Sequence, residues 1–326
     1  MAGANPITER AVFGMFYERL MQAVAQSWLD QICTPVFRSD QDSEDYAWLG
    51  QVPQMAELIG SRKFTQLRQV PWTVTNTPYQ AGLSIPLKHI LYDKTDQVMI
   101  RVNELAERST SHWWSLVAAL IVAGAASACY DGQYFFDTDH SEGDSGTQDN
   151  DITVSGLSSA TAPTSAEMVT AILTAVNQIL AFKDDKGEYV NENMTDFLVM
   201  LPLSLSTQAM SAAQAQFIQG SGGAVTNILV QQDRYSLRIA PSPRLSSWTD
   251  KFAVFATQGM QKPFIRQQRV PNQAPGWFDA DGLGYWSLWT ESEHAKINNE
   301  VLVNVESERA AAYGDWKKAC LVTLST

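Results

Sequence analysis

The longest helical pattern in the chain, which includes residues 98–120 and ends near Gly124, most constrains the fold. Apolar or ring side chains recur near one face for roughly thirty residues, which corresponds to a helix about 45 Å long. The residues on this face are Val98, Val102, Leu105, His112, Leu116 and Leu120. The sequence therefore predicts a long spine helix around which the other elements pack.

Residues 109–130, which overlap the end of this pattern and continue past it, carry no formal charge when His112 is neutral. A membrane span needs about 20 apolar residues, so the run is long enough to raise that alternative. It is rich in Ala, Gly and Ser, however, and the helical pattern continues upstream into charged residues. We therefore expect a buried helix and no membrane association.

Residues 1–60 predict an N-terminal arm. Val12, Phe16, Leu20, Val24 and Trp28 recur every fourth residue, as in an amphipathic helix. Residues 33–60 are rich in Pro, Asp, Ser and Gly. A segment of this composition buries too little apolar surface to fold alone, so we expect it to lie against another surface.

Residues 61–93 change from a helical to an alternating pattern. Trp72 and Val74 alternate with threonines, the chain turns near residues 76–78, and the alternation resumes as far as Leu87. An isolated two-stranded ribbon is marginally stable in water, so a neighbouring subunit is expected to cover its apolar face. The candidate subunit-contact residues are Trp48, Trp72, Val74, Leu83, Ile85 and Leu87.

Strands and helices are mixed in the rest of the chain, which predicts an α+β fold. Pro163, Thr164 and Glu167 indicate the start of a helix, because a Thr followed three residues later by Glu forms a capping box. Short strands are expected near residues 197–201, 228–230, 236–240, 252–256, 264–269 and 301–305. A Gly-rich loop is expected at residues 220–223.

Charge and cysteine content limit the partners and the compartment. The 326 residues carry a formal charge of −12. Proteins that grip phosphates normally cluster Lys and Arg, so direct nucleic-acid binding is not expected. The three cysteines, Cys33, Cys129 and Cys320, fit neither a disulfide framework nor a zinc knuckle and suit a reducing cytoplasm.

The acidic loop at residues 131–151 is the strongest candidate for chemistry. It holds seven carboxylates and no Lys or Arg, and Asp137, Asp139 and His140 are residue types that bind metal ions. A metal hydrolase needs further ligands, and the other histidines have no paired spacing. We therefore expect a solvated loop or a subunit contact, with no catalytic residue, metal or cofactor. Cys129 is expected to be a buried thiol.

Four short segments stand out in order along nearly the whole chain. The segments are residues 46–53, which begin Tyr-Ala-Trp-Leu-Gly and end in Pro53; residues 129–140, CYDGQYFFDTDH; Lys262-Pro263-Phe264; and Arg309 followed by Tyr313-Gly314-Asp315-Trp316. Each motif is short, but in this order and spacing they resemble the major head subunits of Mu-like tailed bacteriophages.

The resemblance implies the tailed-phage major capsid fold. Residues 1–60 would be the N-terminal arm and residues 61–93 an extended β-hairpin. Residues 94–185 together with 291–326 would form the peripheral domain with the spine helix. Residues 186–290 would form the axial domain.

The same resemblance implies a structural function in the virion. Many copies would assemble in the host cytoplasm into hexamers and pentamers of an icosahedral shell, which encloses double-stranded DNA without sequence-specific binding. A separate scaffolding protein is implied because only residues 1–60 precede the hairpin; a portal and decoration proteins are further partners. Two alternatives stay open: an encapsulin-like compartment shell, which shares the fold, and a metal-dependent hydrolase built on the acidic loop.

Overall fold

The computed structural model describes residues 8–23, 28–49, 69–92, 97–220, 223–231, 234–270 and 283–326. The helices are α1 Glu9–Ala23, α2 Leu29–Ile32, α3 Leu87–Tyr92, α4 Gln97–Ala123, α5 Ser165–Leu180, α6 Ser206–Gln214, α7 Ile228–Gln231 and α8 Glu293–Asn298. The strands are β1 Phe37–Ser39, β2 Ser43–Leu49, β3 Gln69–Thr75, β4 Thr77–Pro86, β5 Asp151–Val154, β6 Asp196–Leu201, β7 Phe217–Gly220, β8 Gly223–Thr226, β9 Ser236–Pro241, β10 Lys251–Ala256, β11 Phe264–Arg269, β12 Leu283–Leu288, β13 Glu300–Tyr313 and β14 Ala319–Leu324. This mixture confirms the α+β class.

The spine helix is α4, whose 27 residues confirm the long helix expected from the apolar pattern. Its first half buries Val98 and Val102 in a smaller core, and its second half buries Val117 and Ile121 in a larger one. After the helix ends, a Cβ at Gly124 would lie 2.6 Å from the ring of Phe136, so only glycine fits. None of the described helices is long and apolar enough to cross a membrane.

Helix α5 begins at the expected capping box. The Thr164 hydroxyl accepts from the Glu167 backbone N–H, and the Glu167 carboxylate accepts from the Thr164 N–H. Ser158 donates to the same carboxylate from both its N–H and its hydroxyl. Burial acts to raise the pKa of Glu167, but these hydrogen bonds outweigh it and lower that pKa to about 2. The helix start predicted from Thr164 and Glu167 is confirmed.

Two five-stranded sheets organise the chain. The first has the order β1-β11-β13-β12, with β4 also paired to β13, and the second has the order β5-β14-β10-β6-β9. Helix α4 packs on β13 and β4, whereas α5 and α6 pack on β14 and β9. Strands β11 and β12, from the segment assigned to the axial domain, lie in the first sheet, while β5, from the segment assigned to the peripheral domain, lies in the second. The domain boundaries expected from the resemblance therefore do not follow the sheets.

The two strands within the ribbon expected at residues 61–93 pair with other strands and not with each other. Strand β3 pairs with β2, and residues 50–68 between these strands lie outside the described residues. Strand β4 pairs with β13 over its whole length. Leu87 begins α3 instead of continuing the strand. The alternation correctly indicated two strands, but they do not pair with each other.

The described part of the N-terminal arm lies on its own chain. Helix α1 packs on α4, where Arg19 pairs with Glu107. Strand β1 pairs in parallel with β11. Arg266 of β11 donates to Asp30 at 2.8 Å and to the carbonyl of Thr34 at 3.0 Å. The arm was expected to lie against another surface. For residues 28–39, that surface is the first sheet of the same chain.

Three of the four segments that carry the resemblance meet beside the two sheets. Phe135 stacks on Tyr313 with 4.7 Å between ring centroids, and Phe264 lies 5.2 Å from Phe135. His140 stacks on Trp316 at 3.9 Å, with the ring planes 7° apart. We call these five residues the aromatic junction. All five are buried, so these motif residues have a packing role.

Gly314 allows two of these segments to approach closely. Its N–H donates to the carbonyl of Pro263 at 2.7 Å, and the N–H of Asp315 donates to the carbonyl of Lys262 at 3.0 Å. A Cβ at position 314 would overlap the Lys262 carbonyl oxygen, closer than nonbonded atoms can come. Glycine is required here by the approach of two backbones.

Replacing Gly314 by Ala should therefore separate these backbones and destabilise the subunit by about 2–3 kcal/mol, as overpacking does in well-packed cores. The free energy of unfolding from urea titrations of the dispersed subunit measures this loss. Gly14→Ala is the matched control, because a Cβ at Gly14 meets no atom. In helix α1 that change should stabilise the subunit by about 0.5–1 kcal/mol. Equal effects at the two positions would contradict the proposed contact.

The capping box should make stability depend on pH through Glu167. Its pKa in the folded chain, about 2, lies below its usual value, so its contribution is present at neutral pH and is lost as the pH falls through about 2. The difference in free energy of unfolding between the wild type and Glu167→Gln should therefore shrink as the pH falls from about 5 to about 2. Glu192→Gln, at an exposed residue outside the cap, reports the effect of removing one charge. A difference that stays constant over this range would argue against the bonded carboxylate.

Candidate subunit-contact site

The expected contact residues on β4 face the interior of their own chain. Ile85 is 8% exposed and belongs to the smaller core, together with Val98 of α4 and Val303 of β13. Leu83 and Leu87 are half-buried against the same core. The expectation that this face has no cover within the chain is therefore corrected: β13 pairs with the strand, and α4 packs over it.

The ribbon formed by β2 and β3 is also anchored to its own subunit. Val74 is 4% exposed, and Trp72 is half-buried against the larger core. The Tyr46 hydroxyl donates to Gln267 at 2.8 Å, and Gln267 in turn donates to the carbonyl of Val74 at 3.3 Å. The side chain of Trp48 lies outside the described part of the chain. The ribbon thus packs on its own subunit, although Trp72 and Val74 were expected to contact a neighbouring subunit.

Large apolar side chains are exposed at several other places, and two sets of them are considered as contact surfaces. We call the first the helical shoulder, which consists of Met15, Leu91, Tyr92 and Ile100. We call the second the α6 patch, which consists of Leu203, Met210, Phe217 and Ile228 on and around helix α6. Tyr92 is the most exposed residue of the two sets, at 76%. Exposed apolar groups of this size, gathered in one region, are typical of protein contact surfaces.

A cleft of about 470 Å³ opens in the helical shoulder between β4, α3 and α4. Leu83, Ile85 and Tyr92 line it on the apolar side, while Lys88 and Arg101 supply cationic groups. A neighbouring cleft is lined by Met15 and Ile100. Arg101 is already paired with Glu104 at 2.7 Å, so the lining of the cleft is mainly apolar.

One signal in the sequence could have revealed the shoulder. Ile100 is two residues from both Val98 and Val102, which places it about 200° around the helix from each of them. An apolar residue so far from the buried face of a helix predicts an additional contact. The α6 patch gives no comparable signal, because its members come from four short elements.

The sequence favoured a solvated loop or a subunit contact after α4. Part of this loop is exposed, but several of its side chains are buried in their own chain. His140 is fully buried, and its Nδ1 lies 2.7 Å from Asp131, which also accepts from Cys129 at 2.9 Å. Burial acts to raise the pKa of Asp131, but the hydrogen bonds from His140 and Cys129 outweigh it and lower that pKa. Burial, and then the charge of Asp131, raise the pKa of Cys129 far above its usual value. Cys129 is therefore a protonated thiol, as expected.

Asp137, Asp139 and His140 do not assemble into the site considered for a hydrolase. Asp137 accepts from the backbone N–H groups of Tyr134 and Thr138. Asp139 is exposed, and a hydrogen bond with Asp137 is the largest cause of its raised pKa. The imidazole of His140 bonds to Asp131 instead. Asp137 and Asp139 therefore bond to each other while His140 bonds to Asp131, and the three do not form one ligand cluster.

The sequence has relatives among phage head proteins. Residues 10–166 match the family described as Mu-like prophage major head subunit gpT. The Mu-like prophage FluMu major head subunit of Haemophilus influenzae is 33% identical over 159 residues, which cover 48% of this chain and 51% of that relative. The resemblance to Mu-like major head subunits is confirmed. The match spans about half the length of this Mu-like relative.

The fold extends the likeness beyond the part matched to Mu-like head subunits. A subunit from the procapsid of bacteriophage JBD30 superposes with a TM-score of 0.51 at 21% identity, covering 97% of this chain and 76% of that one. The virus-like particle from Pyrococcus furiosus gives a TM-score of 0.53 at 11% identity, covering 97% of this chain and 100% of that one. The tailed-phage capsid fold is thereby confirmed.

The burial of Ile85 leads to a prediction about the subunit alone. Ile85→Ser should lower the free energy of unfolding of the dispersed subunit by about 2–4 kcal/mol, because it opens a cavity in the smaller core. Leu91→Ser, at an exposed member of the helical shoulder, should change it by less than about 0.5 kcal/mol. Urea unfolding followed by circular dichroism measures both. Wild-type stability of Ile85→Ser would show that the core does not depend on β4.

Proposed function

We propose that this protein is a structural major capsid protein, which assembles as hexamers and pentamers into the icosahedral head shell of a Mu-like phage. The shell encloses double-stranded DNA, and the protein becomes part of the virion after assembly in the host cytoplasm. The match of residues 10–166 to Mu-like major head subunits is the observation that carries this proposal. The capsid fold over almost the whole chain supports it.

The sequence match also favours one of two kinds of shell. The fold alone does not separate a phage head from a protein compartment, because the virus-like particle from Pyrococcus furiosus superposes as well as the phage procapsid subunit does. A relative with 33% identity is named as a phage head subunit. We therefore favour the phage head over an encapsulin-like compartment.

The contacts between subunits are proposed to lie mainly on the helical shoulder and the α6 patch. Both present large apolar side chains that the described residues leave exposed. Trp72 on the ribbon is a further candidate, because its side chain is only half-buried. Leu83 and Ile85 contribute through the wall of the shoulder cleft. The first sheet with α4 corresponds best to a peripheral domain, and the second sheet with α5 and α6 to an axial domain.

The proposed partners follow from the same role. A separate scaffolding protein, a portal and decoration proteins would meet the shell, and the DNA would be enclosed without sequence-specific contacts. The formal charge of −12 fits a wall that does not hold the DNA tightly. We propose no catalytic role, because Asp137, Asp139 and His140 do not form one ligand cluster in the folded loop.

Expression together with the scaffolding protein, followed by electron microscopy and sedimentation, tests this function. The wild type should form closed particles. The double variant Leu91→Ser with Tyr92→Ser, and separately Phe217→Ser with Ile228→Ser, should reduce particle yield at least tenfold while the dispersed subunit unfolds like the wild type. A contact weakened by about 1.4 kcal/mol is already tenfold weaker, and a shell repeats each contact in every subunit.

Met260→Ser is the matched control, because Met260 is 96% exposed and belongs to neither surface. It should leave particle yield unchanged. A wild-type protein that stays monomeric under all assembly conditions would overturn the proposed function. Particles that form normally in both double variants would instead overturn the proposed contacts and leave the shell function standing.

A further inference from the structure

Three buried side chains of different chemistry meet just after the spine helix. The Sγ of Cys129 lies 2.9 Å from Oδ1 of Asp131, and Nδ1 of His140 lies 2.7 Å from Oδ2 of the same carboxylate. One sulfur, one oxygen and one nitrogen therefore lie within 4.8 Å of one another. Cys129 and His140 are almost completely buried, and the Asp131 side chain is 7% exposed.

The two hydrogen bonds of this cluster can be exchanged for one metal ion. In the absence of an ion, Cys129 donates through its thiol and His140 through its imidazole N–H, and Asp131 accepts both. An ion would displace the thiol proton to solvent and move the imidazole proton from Nδ1 to Nε2. The cluster then holds a thiolate, a carboxylate and a neutral imidazole around a divalent cation, so its net charge changes from about −1 to about 0.

A second observation concerns the other nitrogen of the ring. Nε2 of His140 is buried and has no hydrogen-bond partner among the described residues. In the ion-free cluster the hydrogen bond to Asp131 places the ring proton on Nδ1, so an ion bound through Nδ1 would require this proton to move to Nε2. The ring itself is held in place by its stack on Trp316, which keeps Nδ1 directed at Asp131. The imidazole is thus held with Nδ1 beside the other two candidate ligand atoms.

The donor set selects the kind of ion. A thiolate with an imidazole and a carboxylate is typical of zinc, whereas magnesium and calcium require oxygen ligands. We propose that Cys129, Asp131 and His140 bind one Zn²⁺ ion in a structural site. Water would fill the fourth position, because the nearby carboxylate of Glu142 already accepts hydrogen bonds from Lys317 and Tyr130. The site differs from the sequence-based candidate, Asp137 with Asp139 and His140, and from the expectation of no metal.

The proposed ion would hold the loop closed. Cys129 follows the end of α4, and His140 stands beyond Phe135 and Phe136, which the loop inserts into the larger core. A bond from Cys129 through the ion to His140 therefore closes the loop at the base of the aromatic junction. The ligands are buried, and the proposal assigns the ion a structural role only. The proposal stands independently of the shell function.

Metal content and cobalt spectroscopy of the full-length protein test the site. Purified wild type should contain about one zinc per chain, removed by a strong chelator with a fall in Tm. Replacement by Co²⁺ should produce a thiolate-to-cobalt charge-transfer band. Cys129→Ser should abolish this band and make Tm insensitive to the chelator. Cys33→Ser, which changes another buried thiol outside the cluster, should retain both properties.

X-ray absorption at the zinc edge gives a second measurement that needs no variant, in case Cys129→Ser does not fold. One sulfur at about 2.3 Å together with lighter ligands at about 2.0–2.2 Å is expected. Folded wild type that takes up neither zinc nor cobalt would overturn the proposal and show that the cluster is held by hydrogen bonds alone. A zinc shell without sulfur, or a cobalt band that survives in Cys129→Ser, would also overturn it.

Discussion

The aromatic junction ties together elements that the chain order keeps far apart. Strand β13 of the first sheet continues into β14 of the second through residues 314–318, and Trp316 is buried in this connection. The loop after the spine helix stacks Phe135 on Tyr313 and His140 on Trp316. Each aromatic pair contributes about 0.5–1.5 kcal/mol beyond its buried area. Loss of this packing would release the loop and the sheet connection together.

Buried charged side chains beside the aromatic junction favour one position of the loop after α4. The Lys317 ammonium, 1% exposed, lies 2.7 Å from Glu142 of the loop and 3.2 Å from the hydroxyl of Tyr130. Lys318 donates to Asn191 at 2.6 Å, and burial lowers its pKa. Removing a charge from water costs several kcal/mol unless a partner compensates it. A loop seated in another position would leave Lys317 unpaired, so the ionic contacts favour one arrangement over others of similar apolar burial.

The sequence predicted the local elements well and their partners poorly. The length of α4 and the start of α5 follow from periodicity and from a capping box, which act over a few residues. The pairing of β4 with β13 joins residues whose numbers differ by more than 200, and alternation does not encode the partner. Leu83 and Ile85 showed that one face is buried, but not whether the cover belongs to the same chain. Likewise, Asp131 joins Cys129 and His140 only because the loop folds back, which no spacing rule indicates.

The intrachain cover of β4 changes how a shell of such subunits would assemble. A subunit whose strands needed a neighbour would be unstable until assembly. Here both hydrophobic cores are buried within the subunit, and the proposed contact surfaces lie outside them. Each large apolar side chain of those surfaces is worth about 1.5–3 kcal/mol when fully buried. A contact built from a few of them, after the cost of association, stays weak and reversible on its own. A misplaced subunit held by one such contact can dissociate during assembly. The closed shell that we propose is stabilised by many such contacts together.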